Sequence, residues 1–226
     1  MNTASALAAP PVYNVFQQGL VRGSAALRHA PHKQYAYVEH PTEGWRVYLR
    51  SCSFIHDEDD PNPLKFLVVK ATGKIPSSYA WEPAKGQMEG KDLPEDAPLM
   101  DALLQNAMRE VNEETGIPGE ISLIHTGLVF QGEEKDYPPN HYFQYHLFRG
   151  AITADIFDYT KARFAHYRAH PKEFAALKKD YREKDDIDWF DMKTHRLFGR
   201  WSPSIVMLYI NSFLVKPKQN LDGRNN

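Results

Sequence analysis

A chain of 226 residues suits one well-buried domain with insertions or tails, and two domains would each be small. Its 42% hydrophobic and 25% charged residues are those of a globular protein, and a formal charge of -2 excludes a general electrostatic appetite for nucleic acid, though not a local basic channel. The single cysteine, Cys52, excludes a disulfide framework and a cysteine-based zinc site, and no apolar run approaches the roughly 20 residues of a membrane span.

Residues 1–40 are rich in Ala and Ser and hold Arg22, Arg28 and Lys33 with no acid before Glu39. They are read as a flexible leader; the composition would also be tolerated in an organelle transit peptide. A single domain is expected over 41–216. Residues 45–55, "WRVYLRSCSFI", carry the β-branched and aromatic content of a strand, and "HDEDDPNPL" after them is a turn. "KFLVVKA", 65–71, reads as a short buried strand. A helix is expected from Pro98 to Gly116, with Asp96 as its cap and Met100, Leu104, Ala107, Met108 and Val111 as its core stripe. Strands follow at 120–130 and 141–150, with a polar loop between. Residues 155–182 read as a charged helical insertion broken near Pro171, and "IDWFDM" as a short strand. Residues 202–214 form an apolar helix opened by a serine cap, and 217–226 a disordered tail.

Within the first helix, Glu110, Glu113 and Glu114 crowd into five residues. Carboxylates so close repel one another, so either water screens them or a cation sits between them. At ~100° per residue they share an arc bordering the expected core stripe rather than opposing it. Hard divalent cations take carboxylate oxygens, and spacings of three and four residues offer such oxygens on one helical face.

The stretch "REVNEETGI", 109–117, resembles the second half of the Nudix box, R-E-U-x-E-E-x-G-U with U apolar; Arg109, Glu110, Val111, Glu113, Glu114, Gly116 and Ile117 all match. The first half departs from the pattern. From Gly86, the counterpart of its first glycine, to Arg109 there are about nine residues more than the family's spacing, and Asp101 stands at the isolated glutamate position, with Glu89, Asp92 and Glu95 as alternatives. Upstream, "WEPAKG" is similar to the W-x-x-P-K-G loop of Nudix hydrolases acting on dinucleoside polyphosphates, mRNA caps and diphosphoinositol phosphates, with Ala84 in place of the proline.

The resemblance implies an α/β Nudix sandwich with a mixed sheet, and metal-dependent hydrolysis of a phosphoanhydride. It implies Mg²⁺ or Mn²⁺ on Glu110, Glu114 and Glu113 with a carbonyl near Lys85–Gly86, Arg109 orienting a ligand carboxylate, and Lys85 facing a phosphate. A later acid completes such sites in many members; Glu183 is the first candidate, Asp185 and Asp186 the next. The expected substrate is a nucleoside-diphosphate-linked compound with a long polyphosphate: a dinucleoside polyphosphate, a capped RNA or an inositol pyrophosphate. Small oxidised nucleoside triphosphates, or a non-catalytic binding module, are the alternatives. Lys161, Arg163, Arg168, Lys172, Lys178, Lys179 and Arg182 make the insertion either a solvated helix pair or a basic wall for a polyanion. The ten histidines are read as scattered, so no zinc site is expected, and Trp81 and Trp189 are read as packing residues. The protein is expected in the cytoplasm, off the membrane.

Overall fold

The computed structural model describes residues 11–28, 30–73, 80–119 and 121–214. In chain order its strands and helices are β1 (Val21–Leu27), β2 (Ala30–Glu39), β3 (Arg46–Asp57), β4 (Leu67–Ala71), β5 (Trp81–Glu82), β6 (Ala84–Gln87), α1 (Leu99–Thr115), β7 (Ile124–Gly132), β8 (His141–Ile152), α2 (Ala154–Ala169), α3 (Pro171–Ala176), β9 (Lys184–Trp189) and α4 (Ser202–Leu214). The larger sheet has the order β1-β2-β3-β8-β7, with the short β6 on the β2 edge of β3; β3 and β8 run parallel and the other pairs antiparallel. A smaller sheet has the order β5-β4-β9.

Strand β3 shows why the sheet is covered on both sides. Side chains alternate along a strand, and Val47, Leu49 and Ile55 join one apolar cluster while Tyr48, Cys52 and Phe54 join another. The first cluster takes Leu103, Ala107 and Val111 of α1 and Phe157 and Phe164 of α2; the second takes Ile205, Val206, Tyr209 and Ile210 of α4. Burial of each such large side chain contributes about 1.5–3 kcal/mol. The result is an α/β sandwich with a mixed sheet and a late helical insertion, α2 and α3, as expected. No helix among the described residues is long and apolar enough to cross a membrane.

Several expectations need correction. Residues 1–10 of the supposed leader lie outside the described residues, but its remainder is packed: Tyr13 stacks on Trp45, Val15 is buried, and Val21–Glu39 pairs as β1 and β2 and extends the main sheet. Arg22 then reaches the loop before α1 and donates to the carbonyls of Glu95 and Ala97 at 2.9 and 2.7 Å. That loop, with a 3-10 turn at Gly90–Asp92, holds the residues in excess of the Nudix spacing. Pro98, not Asp96, precedes α1, and no side chain caps that end. Ser202 is the first residue of α4, and its hydroxyl bonds Glu82 at 3.4 Å. The expected tail, 217–226, lies outside the described residues.

The core face of α1 is turned by about one residue's step, ~100°, from the expected stripe. Leu99, Ala102, Leu103, Asn106, Ala107, Val111, Glu114 and Thr115 are buried, while Met100, Leu104 and Met108 only flank the core. The difference arises because Asn106 and Glu114 are buried with partners, which apolar counting ignores. Asn106 donates to the Ser51 hydroxyl at 2.7 Å. Glu114 therefore lies on the buried line itself, with Glu110 and Glu113 half-buried beside it.

Gly116 stops α1 at φ 62°, its N–H bonded to the Asn112 carbonyl at 2.9 Å. A Cβ there would be strained and would meet the Arg163 guanidinium. Gly116→Ala is expected to destabilise by about 1 kcal/mol or more, read as a lower urea midpoint at unchanged slope.

Candidate active site

Strand β6 and helix α1 meet where the helix runs out of apolar side chains. The Glu110 carboxyl group lies so close over Gly86 that a Cβ at Gly86 would collide with it. Only glycine permits this approach, and it brings a carboxylate against a backbone turn. Arg109 holds the neighbouring acids: Nη2 donates to Glu110 Oε1 at 2.7 Å and to Asn106 Oδ1 at 2.7 Å, and Nη1 to Glu113 Oε2 at 2.7 Å. Asp92 Oδ2 stands 3.6 Å from the same guanidinium. A cleft of about 230 Å³ opens over these groups, lined by Lys33, Tyr35, Glu89, Lys91, Asp180 and Glu183 besides the α1 glutamates and the β6 turn.

Behind the cleft is a buried cluster of two lysines and two glutamates. The Glu114 carboxylate accepts the Lys85 backbone N–H at 2.9 Å on Oε2 and the Lys184 ammonium at 2.7 Å on Oε1. Lys184 also pairs with Glu82, whose other oxygen takes the Lys85 ammonium at 2.6 Å. Burial opposes every charge here, yet Glu82 is held below the usual carboxylate range by Lys85 and Lys184, and Lys85 and Lys184 stay above the ordinary lysine value beside their carboxylates. Burial moves Glu114 the other way, upward, with Glu82 adding to the rise. With both ammonium groups 2.6–2.7 Å from carboxylate oxygens, the cluster is best described as two cations and two anions.

Burial, together with the Glu114 and Glu113 carboxylates and against the pull of Arg109, pushes Glu110 up to about 8. Its folded value then exceeds the ordinary 4.5, so between those limits the metal-free folded chain binds a proton that the unfolded chain lacks. Stability falls as pH rises through that window. His56 and His146, lowered by burial to about 4 and about 3 from 6.5, act oppositely at lower pH, where stability rises with pH. In metal-free buffer, the decline of stability from pH 6.5 to 8 is expected to be shallower in Glu110→Gln, measured by urea unfolding at each pH. Equal slopes would contradict the burial of this carboxyl group.

The expected residues are partly assembled. Glu110, Glu113, Glu114, Gly86, Lys85 and Glu183 all border one cleft, with Arg109 beneath them. Lys85 does not present a free ammonium, since Glu82 holds it. Asp185 and Asp186 are engaged elsewhere, by Lys70 and Arg168 at 2.9 and 2.8 Å. Asp101 is exposed on α1, and Asp92 occupies the place beside Arg109. Trp81 packs against His195 and Trp189 against Phe157, with centroids 4.5 and 4.7 Å apart. Sequence reasoning missed Glu82, Lys184, Lys33 and Lys91; only the adjacency of Glu82 to "PAKG" offered a signal.

The insertion is not a basic wall facing the glutamates. Lys161 pairs with Asp188 at 2.9 Å, Arg168 with Asp186 at 2.8 Å, and Arg163 approaches the Thr115 carbonyl at 3.4 Å. These cations dock the helices onto β9 and the end of α1. On that side the cleft is lined by Asp180 and Glu183, which are acids.

No family model and no curated protein matches the chain. Solved structures do. It is similar to a Nudix hydrolase from Nitrosomonas europaea, at 13% identity over 73% of this chain and 88% of that one, with a TM-score of 0.40. The Nudix domain of Shewanella oneidensis NrtR, complexed with ADP ribose, matches at 11% identity over 73% and 87%, TM-score 0.41. A C. elegans Ap4A hydrolase matches at 17% identity over 74% and 96%, TM-score 0.38. The architecture itself is a mixed-sheet α/β sandwich in which the glycine turn of β6 and the glutamate helix α1 stand face to face.

Proposed function

We propose that this protein is a Mg²⁺- or Mn²⁺-dependent Nudix hydrolase that cleaves a phosphoanhydride in a nucleoside-diphosphate-linked compound. The observation that carries the reading is the Glu110 carboxylate packed over Gly86, with Glu113 and Arg109 around the same cleft. The donor set fits a hard divalent cation, because it offers carboxylate and carbonyl oxygens and no thiolate or imidazole. Glu110 and Glu114 are the principal ligands in this proposal, with Glu113 and the Gly86 carbonyl beside them. Glu114 accepts one bond on each oxygen, and each oxygen keeps a second lone pair for a cation. Once bound, the cation would neutralise diphosphate charge and lower the pKa of a water nucleophile.

The chain supplies the rest. Arg109 orients Glu110 and Glu113, and the Glu82–Lys85–Lys184 cluster holds Glu114. Glu113 and Glu183 are the candidates to take a proton from water. Lys33 and Lys91 replace Lys85 as the proposed phosphate contacts, since both line the cleft and share Glu89 at 3.1 and 2.9 Å. A dinucleoside polyphosphate, capped RNA or inositol pyrophosphate remains the substrate expected from "WEPAKG". A second reading, a small nucleoside triphosphate, is favoured by the limited volume of the cleft and its acidic far side. A reducing, cytoplasmic setting accords with the single cysteine.

The test is Mn²⁺ titration by thermal shift, then a panel of these substrates assayed for phosphate release with and without metal. A Mn²⁺-dependent Tm rise with metal-dependent hydrolysis is expected. A Tm rise without hydrolysis of any substrate would instead indicate a binding module, and no response to Mn²⁺ would overturn the proposal.

A further inference from the structure

A second constellation stands apart from the glutamates, at the corner where α2 gives way to α3. Its origin is the proline. Pro171 disfavours helical backbone at the residue before it, and His170 accordingly leaves the helix at φ -124°, ψ 65°. On an uninterrupted helix Glu173 would lie roughly 10 Å along the axis from His166. The turn instead folds it back, so that His166 Nε2 and Glu173 Oε2 are 2.9 Å apart. His166 and His170 stack with ring centroids 4.1 Å apart, and one ligating atom from each of the three residues falls within 4.8 Å of the others. His166 and His170 have H-x3-H spacing, which the expectation of scattered histidines and no zinc site did not credit.

We propose that His166, His170 and Glu173 bind a zinc-class transition-metal ion. Two imidazoles and a carboxylate are a borderline donor set that favours Zn²⁺, Co²⁺ or Ni²⁺ over Mg²⁺. The tautomer of one ligand is already set. His170 Nδ1 lies 2.9 Å from the His166 carbonyl oxygen, so this nitrogen carries the proton and donates it, and Nε2 keeps a lone pair for the metal. Tetrahedral zinc, with bonds of about 2.0–2.1 Å, spaces its ligand atoms about 3.3 Å apart. His166 and Glu173 are near that spacing, and these two exposed side chains close the remainder by small rotations while His170 keeps its Nδ1 bond, without disturbing the core. Water completes the coordination. A plain surface ion pair between His166 and Glu173 is the competing description; it would use neither the second histidine nor its oriented proton.

The ion would tie α3 to the end of α2. Arg168, between the two histidines, bonds the Asp186 carboxylate and the Asp185 carbonyl, each at 2.8 Å. A pinned corner therefore stiffens the attachment of the insertion to β9.

Co²⁺ is a suitable probe, used on the full chain with excess Mg²⁺ so that the carboxylate cleft is filled. One equivalent should bind with visible d–d absorption, and added Zn²⁺ should bleach it. His170→Ala and Glu173→Gln, both at exposed positions, should each weaken Co²⁺ binding at least tenfold and abolish the Zn²⁺-dependent rise in Tm. Hydrolysis by the same variants should be unchanged, which separates this site from the glutamate cleft. Absence of d–d bands in the wild type, or the same bands and affinity in His170→Ala, would overturn the proposal.

Discussion

Glu110→Gln is expected to lower metal-dependent turnover by about 10³-fold while the protein stays folded. A cation at the site supplies several kcal/mol of transition-state charge stabilisation, and each 1.36 kcal/mol is tenfold in rate. The substitution suits the position. Burial pushes Glu110 up to about 8, toward its neutral form, and glutamine matches that neutral form in shape and charge. Steady-state kinetics with Mn²⁺ varied, beside a urea unfolding curve, checks both halves. Turnover within a few-fold of wild type would contradict the assignment of Glu110.

The corresponding change at Glu114, which the sequence alone suggests should be harmless to folding, is a poorer probe. Glutamine there would leave the Lys184 ammonium beside a neutral amide in a buried place, so lost activity and lost stability would be mixed.

Lys184→Met is expected to cost about 3–5 kcal/mol of stability. It removes the cation that touches both Glu82 and Glu114 and leaves two buried carboxylates with one lysine ammonium, that of Lys85, between them. The double variant Lys184→Met, Glu114→Gln should recover part of that loss, because it removes an anion together with the cation. A double-mutant cycle measures this coupling. Additive losses would mean that the Lys184–Glu114 contact at 2.7 Å carries no net interaction.

These two variants mark how far the sequence could be read. Arg109, the three glutamates and Gly116 were legible because a short, locally spaced helical motif carries them. Local spacing also gave α1, β3, β8 and the break at Pro171. Lys184 was not legible, since it reaches Glu114 from a strand 70 residues further along the chain and nothing in "REKDDIDW" sets it apart from solvated lysines. Lys33 and Tyr35 were hidden for a different reason. Residues 21–39 lack strong apolar alternation, hold Gly23 and Pro31 and have no acid before Glu39, so composition suggested a leader where pairing to β3 builds a sheet edge. The rotation of α1 shows the same limit, because hydrophobic periodicity cannot credit a buried Asn106 or Glu114 whose partners lie on other elements.

The central claim is that one divalent cation sits between the Gly86 turn and the glutamates of α1. Anomalous scattering from a crystal grown with Mn²⁺ tests it most directly. The account predicts a peak about 2.0–2.3 Å from a Glu110 oxygen, with the Gly86 carbonyl and a Glu113 or Glu114 oxygen also in coordination. Manganese bound elsewhere on the protein, with this cleft empty at saturating concentration, would contradict it.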